Sequence, residues 1–247
     1  MGIVAQNTAK VWAAAIGHWL VLSLLSVAFY PMIVTDTYAR YAPMAEAFAA
    51  GDFFYAFSPR FGVLFQTVAG CVAWLTGLDG VHSSQVAAIG FLSLSAVPLW
   101  LTVRRIFGEE IAWWAIVLFL VSDDMTRYAM DGLRDSGKCL GYALVAFGAV
   151  RAADKPDFRS ALSFGLGLFV LVTIFSYCFA VAAALLFAWG VWHIVRKDAD
   201  VRLAVLQIAV PVFLFALGTA AVTYMTHFYT GHWVPAPHYI RILGGWL

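Results

Sequence analysis

The chain has 247 residues, of which 63% are hydrophobic and only 12% are charged, and its formal net charge is +1. An average soluble domain is about 45–50% apolar and about 25% charged, and a fold of this length cannot cover such an apolar surplus from water. These values argue against a soluble enzyme, a disordered region and a fibrous repeat, and they predict an integral membrane protein. The sequence has no dense basic stripe, so binding to nucleic acid is not expected.

Eight apolar stretches are candidates for membrane-spanning helices, which need about 20 mostly apolar residues. They are 11–34, 61–78, 84–103, 111–122, 137–153, 160–175, 177–195 and 203–226. The first stretch is long and lacks a cleavage-like motif, so we interpret it as a retained helix rather than a signal peptide. The stretch 111–122 is short, and extension through Asp123 would help it to span. Residues 160–195 are too many for one helix, and we expect a turn at Ser176–Tyr177.

Basic residues in the short loops predict the orientation, because Lys and Arg concentrate on the cytoplasmic side. They form four clusters: Lys10; Arg104 and Arg105; Arg151, Lys155 and Arg159; and Arg196, Lys197 and Arg202. All four fall on one side only if 61–78 lies at the outer leaflet or dips into it without crossing. We therefore predict seven spans in a single module, 1–247, with the N-terminus inside. Its outer segments are 35–83, 123–137 and 227–247.

The first outer segment is acidic and aromatic, which orientation alone does not explain. Ionisable groups beside a bilayer are costly unless paired or hydrated, so their clustering predicts a functional site. Asp36 follows the first span, and a helix N-cap or an interfacial charge is the alternative interpretation of this residue. An amphipathic surface helix, ending at Gly51–Asp52, is predicted by apolar residues at helical spacing. They are Tyr41, Met44, Ala45 and Phe48.

The second outer segment brings three cations to the same membrane face: Arg127, Arg134 and Lys138. Such groups are the usual partners of phosphates, including lipid-linked ones. Two plainer interpretations stay open, namely that Asp135 caps a helix and that Lys138 extends its side chain to the interface.

Cysteines and histidines give little indication of a metal site. The cysteines lack CxxC spacing and lie in apolar runs, which is typical of core residues: Cys71, Cys139 and Cys178. The C-terminal segment carries His227, His232 and His238, whose spacing fits no single helix face. Interfacial anchoring among aromatic residues is the favoured interpretation. We predict no metal site and no other cofactor, with a divalent ion left open.

The run DTYARYAPMAEAFAAGD, from Asp36 to Asp52, resembles the first outer loop of the GT-C superfamily of membrane glycosyltransferases. The resemblance is closest to the branch of protein O-mannosyltransferases and aminoarabinose transferases. Further similar segments follow in the same order and cover nearly the whole chain. They are Ser58-Pro59-Arg60, LWLTVRRIFGEEIAWWAIVLFLV, GLRDSGKCLGYALVAFGAV, SFGLGLFVLVTIFSYCF and TGHWVPAP. The ordered series carries the resemblance, since no single motif is specific.

The resemblance implies an all-α fold, a polytopic membrane bundle with a seven-span core and surface helices in the first outer loop. It also implies inverting transfer of a sugar from a polyprenyl-phosphate donor to a hydroxyl on a lipid, glycan or protein acceptor. The membrane would be a bacterial inner membrane, with the site facing the periplasm or the outside. By the same resemblance Asp36 corresponds to the general base and Asp135 to a second acidic position.

Substrate contacts are also implied by the resemblance. The phosphate-binding cations would be Arg60, Arg134 and Lys138. The aromatic residues that could shape a sugar and prenyl groove are Tyr38, Tyr41, Phe53, Phe54 and Tyr55, and interfacial anchoring is the alternative for each.

Two departures from the family pattern leave alternatives open. Ser58 stands where Lys or His is common, and the sequence Ile-Phe-Ser-Tyr at 174–177 replaces an Arg and an acidic residue. Relatives also carry further spans or an outer soluble domain, so we expect a compact form, a fragment or a subunit that needs a partner. A non-catalytic core that binds lipid-linked sugar is one alternative function. A small-solute transporter is another, but it needs mid-span ionisable groups, and packing explains His18 better.

Overall fold

A computed structural model describes residues 2–29, 34–57, 62–196 and 201–235. These residues form helices joined by turns, with no β-strand among them, so the all-α class is confirmed. The helices are α1 (Gly2–Phe29), α2 (Ala42–Ala49), α3 (Phe53–Ala56), α4 (Leu64–Thr76), α5 (Gly80–Phe107), α6 (Glu109–Leu120), α7 (Asp123–Met130), α8 (Asp135–Asp154), α9 (Phe158–Ile174), α10 (Phe179–Val195) and α11 (Val201–Thr230). A π-helical turn, Thr37–Tyr41, precedes α2, and a 3₁₀ turn, Ser176–Cys178, precedes α10.

Four of these helical segments are long and apolar enough to cross a membrane: Asn7–Phe29, Gly80–Phe107, Ser176–Val195 and Val201–Thr230. This supports the membrane class by length and composition. The apolar helix α9 has 17 residues, and α8 has 20 residues with its charges near the two ends. The 13 residues of α4 extend about 20 Å, which is less than the roughly 30 Å of a hydrocarbon core.

The expected extension of 111–122 through Asp123 is wrong. Helix α6 ends at Leu120 after 12 residues. Ser122 then adopts an extended conformation, and Asp123 and Asp124 occupy the first turn of a separate helix, α7. Carboxylates are favoured there because they face the positive end of the helix dipole.

The predicted turn inside 160–195 is confirmed. Helix α9 ends at Ile174, Phe175 is extended with φ −148° and ψ 102°, and the 3₁₀ turn follows before α10. The amide of Val63 donates to the carbonyl of Thr173 at 2.8 Å, so a backbone group released by the end of α9 is satisfied by the segment before α4.

Small residues bring the helices at the centre of the bundle into close contact. Helix α1 packs on α5, α5 on α8, α8 on α9, α9 on α11, and α11 on α10. Between α8 and α9 the contact is made by glycines, as is common between membrane helices. A Cβ on Gly167 would lie 2.7 Å from the carbonyl oxygen of Gly141, and one on Gly148 would lie 2.6 Å from the amide nitrogen of Phe164.

Gly167→Ala is therefore expected to destabilise the bundle, because the added methyl group meets backbone that cannot rotate away. Overpacking of this kind costs about 1–3 kcal/mol, which should lower the midpoint of thermal unfolding in detergent. Gly190→Ala in α10 is the matched control, since no described residue beyond its own helical turn lies within 4 Å of the Cβ position there. An equal fall in the two midpoints would contradict the close contact of α8 and α9.

Described residues from three of the predicted basic clusters lie together at one end of the bundle. Arg105 pairs with Asp154 at 2.8 Å, and Arg196 donates to the carbonyl of Ala152 at 3.0 Å. Arg151 forms two hydrogen bonds with Asp157, which caps the start of α9. The hydrogen bonds from Arg151 hold the pKa of Asp157 at about 2. The residues of the predicted outer segments meet at the opposite end.

Candidate functional site

The second outer segment is held by direct hydrogen bonds to the first outer segment and to α5. The buried hydroxyl of Thr37 donates to the carbonyl of Asp131 at 2.5 Å, and the side-chain amide of Gln85 donates to the carbonyl of Met130 at 2.7 Å. Gly132 has a φ of +69°, and a Cβ there would lie 2.9 Å from the methyl group of Thr37. The chain just after Asp36 is therefore held against the chain just before Arg134.

The predicted amphipathic helix exists, but its apolar face is covered by protein. Tyr41, Met44 and Ala45 are buried, and the ring of Tyr41 makes an edge contact with Phe65 of α4. The amide of Gly80 donates to Glu46 at 2.9 Å, which fixes α2 to the start of α5. The expectation of a helix with its apolar face in the lipid is corrected accordingly, because α4 and α5 supply the apolar surface.

Asp36 lies beside the π-helical turn with a half-exposed carboxylate. Its side chain makes no capping hydrogen bond, so the N-cap interpretation is wrong. It forms an ion pair with Arg40 instead, at 2.7 Å, with 47% of the carboxylate side chain exposed. The ion pair restricts the orientation of the carboxylate, and the exposed fraction leaves it open to a substrate.

Arg134 and Lys138 come together around one aromatic ring. The guanidinium carbon of Arg134 and the ammonium nitrogen of Lys138 each lie 4.0 Å from the centroid of Phe175. The Arg134 guanidinium also lies 5.8 Å from the centroid of Tyr41. Arg134 is only 6% exposed. Cation–π contacts of this kind gain strength when the cation is shielded from water.

Both predicted carboxylates act on this cation. Burial lowers the pKa of Arg134, and the neighbouring groups Tyr41, Asp135, Tyr177 and Asp36 oppose that shift. Burial also raises the pKa of Tyr41, against the influence of the Arg134 charge. The charges of Asp36 and Asp135, which are 99 positions apart in the sequence, thus both act on Arg134 and Tyr41. The carboxylates and the cations of the two outer segments form one electrostatic cluster, here called the Arg134 cluster.

Asp135 and Lys138 also line a cavity on the neighbouring face of α8. The Lys138 ammonium pairs with the Asp135 carboxylate at 2.5 Å, and Asp135 is the first residue of α8 rather than its cap. The cavity measures about 440 Å³ and lies among α5, α7 and α8. Because Lys138 contacts both this cavity and Phe175, it connects the cavity to the Arg134 cluster.

Other predicted site residues are exposed or fall outside the described residues. Tyr38 is 65% exposed. Arg60, together with Ser58 and Pro59, falls outside the described residues, so its predicted phosphate contact stays a prediction. Arg127 lies near Asp131, at 3.9 Å, at the surface of α7.

The histidines have structural surroundings. His227 stacks on Trp233 with ring centroids 3.8 Å apart, whereas His238 lies outside the described residues. Within 2–29, 34–57, 62–196 and 201–235 no three His, Cys, Asp or Glu side chains form a group that could hold a metal ion. His18 is hydrogen-bonded to the hydroxyl of Ser93 at 2.8 Å and to the carbonyl of Leu120 at 3.1 Å, in agreement with a packing role.

Sequence reasoning missed two residues of this region. Phe175 belongs to the segment 174–177, which departs from the pattern of the GT-C superfamily. That departure was the only sequence feature that could have drawn attention to Phe175. Ser136 is 3% exposed and lines the cavity, but a serine beside Asp135 carries no distinguishing signal in one sequence.

Comparison with protein-family models, with curated proteins and with solved structures finds no match to this chain.

Proposed function

We propose that this chain is a membrane glycosyltransferase that transfers a sugar from a polyprenyl-phosphate donor to a hydroxyl acceptor, with inversion at the anomeric carbon. The observation that carries the proposal is the Arg134 cluster, in which the charge of the half-exposed Asp36 carboxylate acts on the shielded Arg134 cation. A carboxylate can remove a proton from an attacking hydroxyl, and a cation can stabilise the negative charge on a leaving phosphate.

In the proposed reaction Asp36 accepts the proton of the acceptor hydroxyl as that oxygen attacks the anomeric carbon. The bond between this carbon and the phosphate oxygen breaks, and polyprenyl phosphate leaves with the electron pair. Arg134 and Lys138 stabilise the charge that develops on the phosphate. Phosphate is a good leaving group, so no strong general acid is needed. Asp135 has the role of orienting the Lys138 ammonium.

A lipid-linked donor is supported by a second cavity, which is apolar. It measures about 400 Å³, lies among α1, α4 and α5, and is lined by Trp12, Trp19 and Phe91 together with aliphatic residues. None of its lining side chains is charged. Such a lining accepts a hydrocarbon chain without desolvating an ion.

For the topology we propose the seven-span arrangement of a GT-C core, with α4 at the outer leaflet and the Arg134 cluster outside. The gathering of the basic loops at the opposite end of the bundle supports it, because such loops favour the cytoplasmic side. The proposed location is a bacterial inner membrane, with the cluster facing the periplasm.

The second candidate function is binding of the lipid-linked sugar without transfer. The ion pair between Asp36 and Arg40 favours it, because the Arg40 guanidinium already occupies the carboxylate that would have to contact the acceptor hydroxyl. Under this alternative the chain would act through a partner subunit.

The test is release of polyprenyl phosphate from the purified chain in nanodiscs that contain polyprenyl-phosphate monosaccharides and a panel of lipid, glycan and peptide hydroxyl acceptors. Mass spectrometry of the released lipid measures turnover whichever acceptor takes the sugar. We expect acceptor-dependent release from at least one donor. Saturable donor binding with no release would favour the second candidate instead.

A further inference from the structure

The cavity of about 440 Å³ among α5, α7 and α8 combines three polar groups with an aromatic wall. The polar groups are the Asp135 carboxylate, the Ser136 hydroxyl and the Lys138 ammonium, and Tyr128 and Tyr142 provide rings. Its volume lies within the range of about 300–1,000 Å³ typical of small-molecule sites.

Ser136 provides an independent indication of a ligand. It is 3% exposed, and in the described part of the chain its hydroxyl oxygen has no hydrogen-bond partner. A buried hydroxyl without a partner is costly, and the great majority of buried polar atoms are satisfied by protein or by another molecule. A ligand group in the cavity that bonds to Ser136 would remove this cost.

The charges of the lining identify the kind of ligand. A phosphate is an anion, so it would be attracted by Lys138 and repelled by the Asp135 carboxylate, which lies 2.5 Å from the Lys138 ammonium. A hydroxyl group both donates and accepts. Neighbouring hydroxyls can therefore donate to Asp135, accept from Lys138 and exchange a hydrogen bond with Ser136. The Asp135–Lys138 pair has no net charge, so the cavity favours a neutral ligand over an amino sugar or a sugar acid.

We propose that this cavity is the subsite for an uncharged, hydroxyl-rich group, namely a neutral monosaccharide unit. The inference rests on the proposed function, because it makes this unit the transferred sugar and leaves the phosphate to the Arg134 cluster. Lys138 contacts both regions, at the junction of sugar and phosphate.

Cys139 supplies a probe, because it also lines the cavity. The full chain carrying Cys71→Ser and Cys178→Ser, in nanodiscs of glycerophospholipids without sugar headgroups, is labelled with a small neutral maleimide. The labelling rate of Cys139 is measured with methyl glycosides of neutral hexoses, with glucosamine, with glucuronate and with inorganic phosphate. We expect at least one neutral glycoside, at millimolar saturation, to slow labelling threefold or more, while the three charged probes leave the rate unchanged.

Two variants show whether the polar lining is responsible. Ser136→Ala should raise the glycoside concentration for half-protection at least fivefold, since it removes a hydrogen-bonding group. Thr219→Val in α11 is the control, because Thr219 also has a buried hydroxyl without a described partner and should leave protection unchanged. Lys138→Met leaves the Asp135 carboxylate without its paired cation. Glucosamine, which is positively charged, should then protect Cys139 better than the neutral glycosides do.

Several outcomes would overturn the inference: no reaction of Cys139, protection by phosphate but not by glycosides, or equal protection in Ser136→Ala and the double-serine background. Any of these, with release of polyprenyl phosphate intact, would leave the proposed transfer standing. Protection as expected, with no release from any donor, would support the subsite and count against the transfer.

Discussion

Replacing Asp36 by asparagine is expected to lower the rate of polyprenyl-phosphate release by about 10²–10⁴-fold, the usual contribution of a general base. Asparagine has the shape of aspartate but cannot accept the proton of the attacking hydroxyl. The half-exposed side chain makes no capping bond, so the variant should insert normally and keep its thermal unfolding midpoint. Donor binding should change little, because the phosphate cations are untouched.

Asp52→Asn is the matched control for that experiment. Asp52 is another carboxylate of the same outer segment, and it accepts a hydrogen bond from the amide of Tyr55 at the start of α3. Asparagine also serves as a cap, so turnover should stay at the level of the unmodified chain. Normal turnover in Asp36→Asn would remove Asp36 from its role as the base, and an equal loss in both variants would indicate a general effect of charge at this face.

Arg134→Gln should lower turnover by about 10²–10³-fold, as the loss of one preorganised charge-stabilising donor does. The loss should appear mainly in kcat, because negative charge on the phosphate grows as the glycosidic bond breaks. Arg134→Lys should recover only part of the rate, since an ammonium keeps the charge but lacks the planar fork of the guanidinium.

Arg127→Gln is the control for the loss of a cation at the same end of the bundle, because Arg127 is exposed on α7. It should retain nearly full activity. Because Arg134 is buried, thermal unfolding must be measured beside turnover. A folded Arg134→Gln protein with normal kcat would contradict the assignment of Arg134 to the leaving phosphate.

The sequence was sufficient where the signal was local. Apolar length predicted the long helices, the excessive length of 160–195 predicted the turn before α10, and helical spacing predicted the helix α2. It did not predict the end of α6 at Leu120, because apolar length cannot show where a carboxylate pair will begin a new helix. The covered face of α2 was also missed, since an amphipathic pattern is the same against lipid and against α4.

The candidate site was predicted in its residues more than in its arrangement. Charges beside apolar runs pointed to Asp36, Arg134, Asp135 and Lys138. In the structure Arg134 and Lys138 share the ring of Phe175, and the charges of Asp36 and Asp135 act on Arg134. The contact of Phe175 with Arg134 and Lys138 forms because the start of α8 packs against the end of α9. No local sequence pattern indicates this tertiary contact. The role proposed for Ser136 rests on the lack of a described hydrogen-bond partner for its hydroxyl. A sequence alone cannot show which hydroxyls are left without a partner.

The contacts of Phe175 have a consequence for how the protein is made. Chains emerge from the ribosome N-terminus first, so Asp36, Arg134 and Lys138 are all synthesised before the ring that the two cations share. Until α9 is in place, the newly made α8 carries Lys138 in its first turn without this aromatic partner. The Arg134 cluster is therefore completed only when synthesis has passed residue 175.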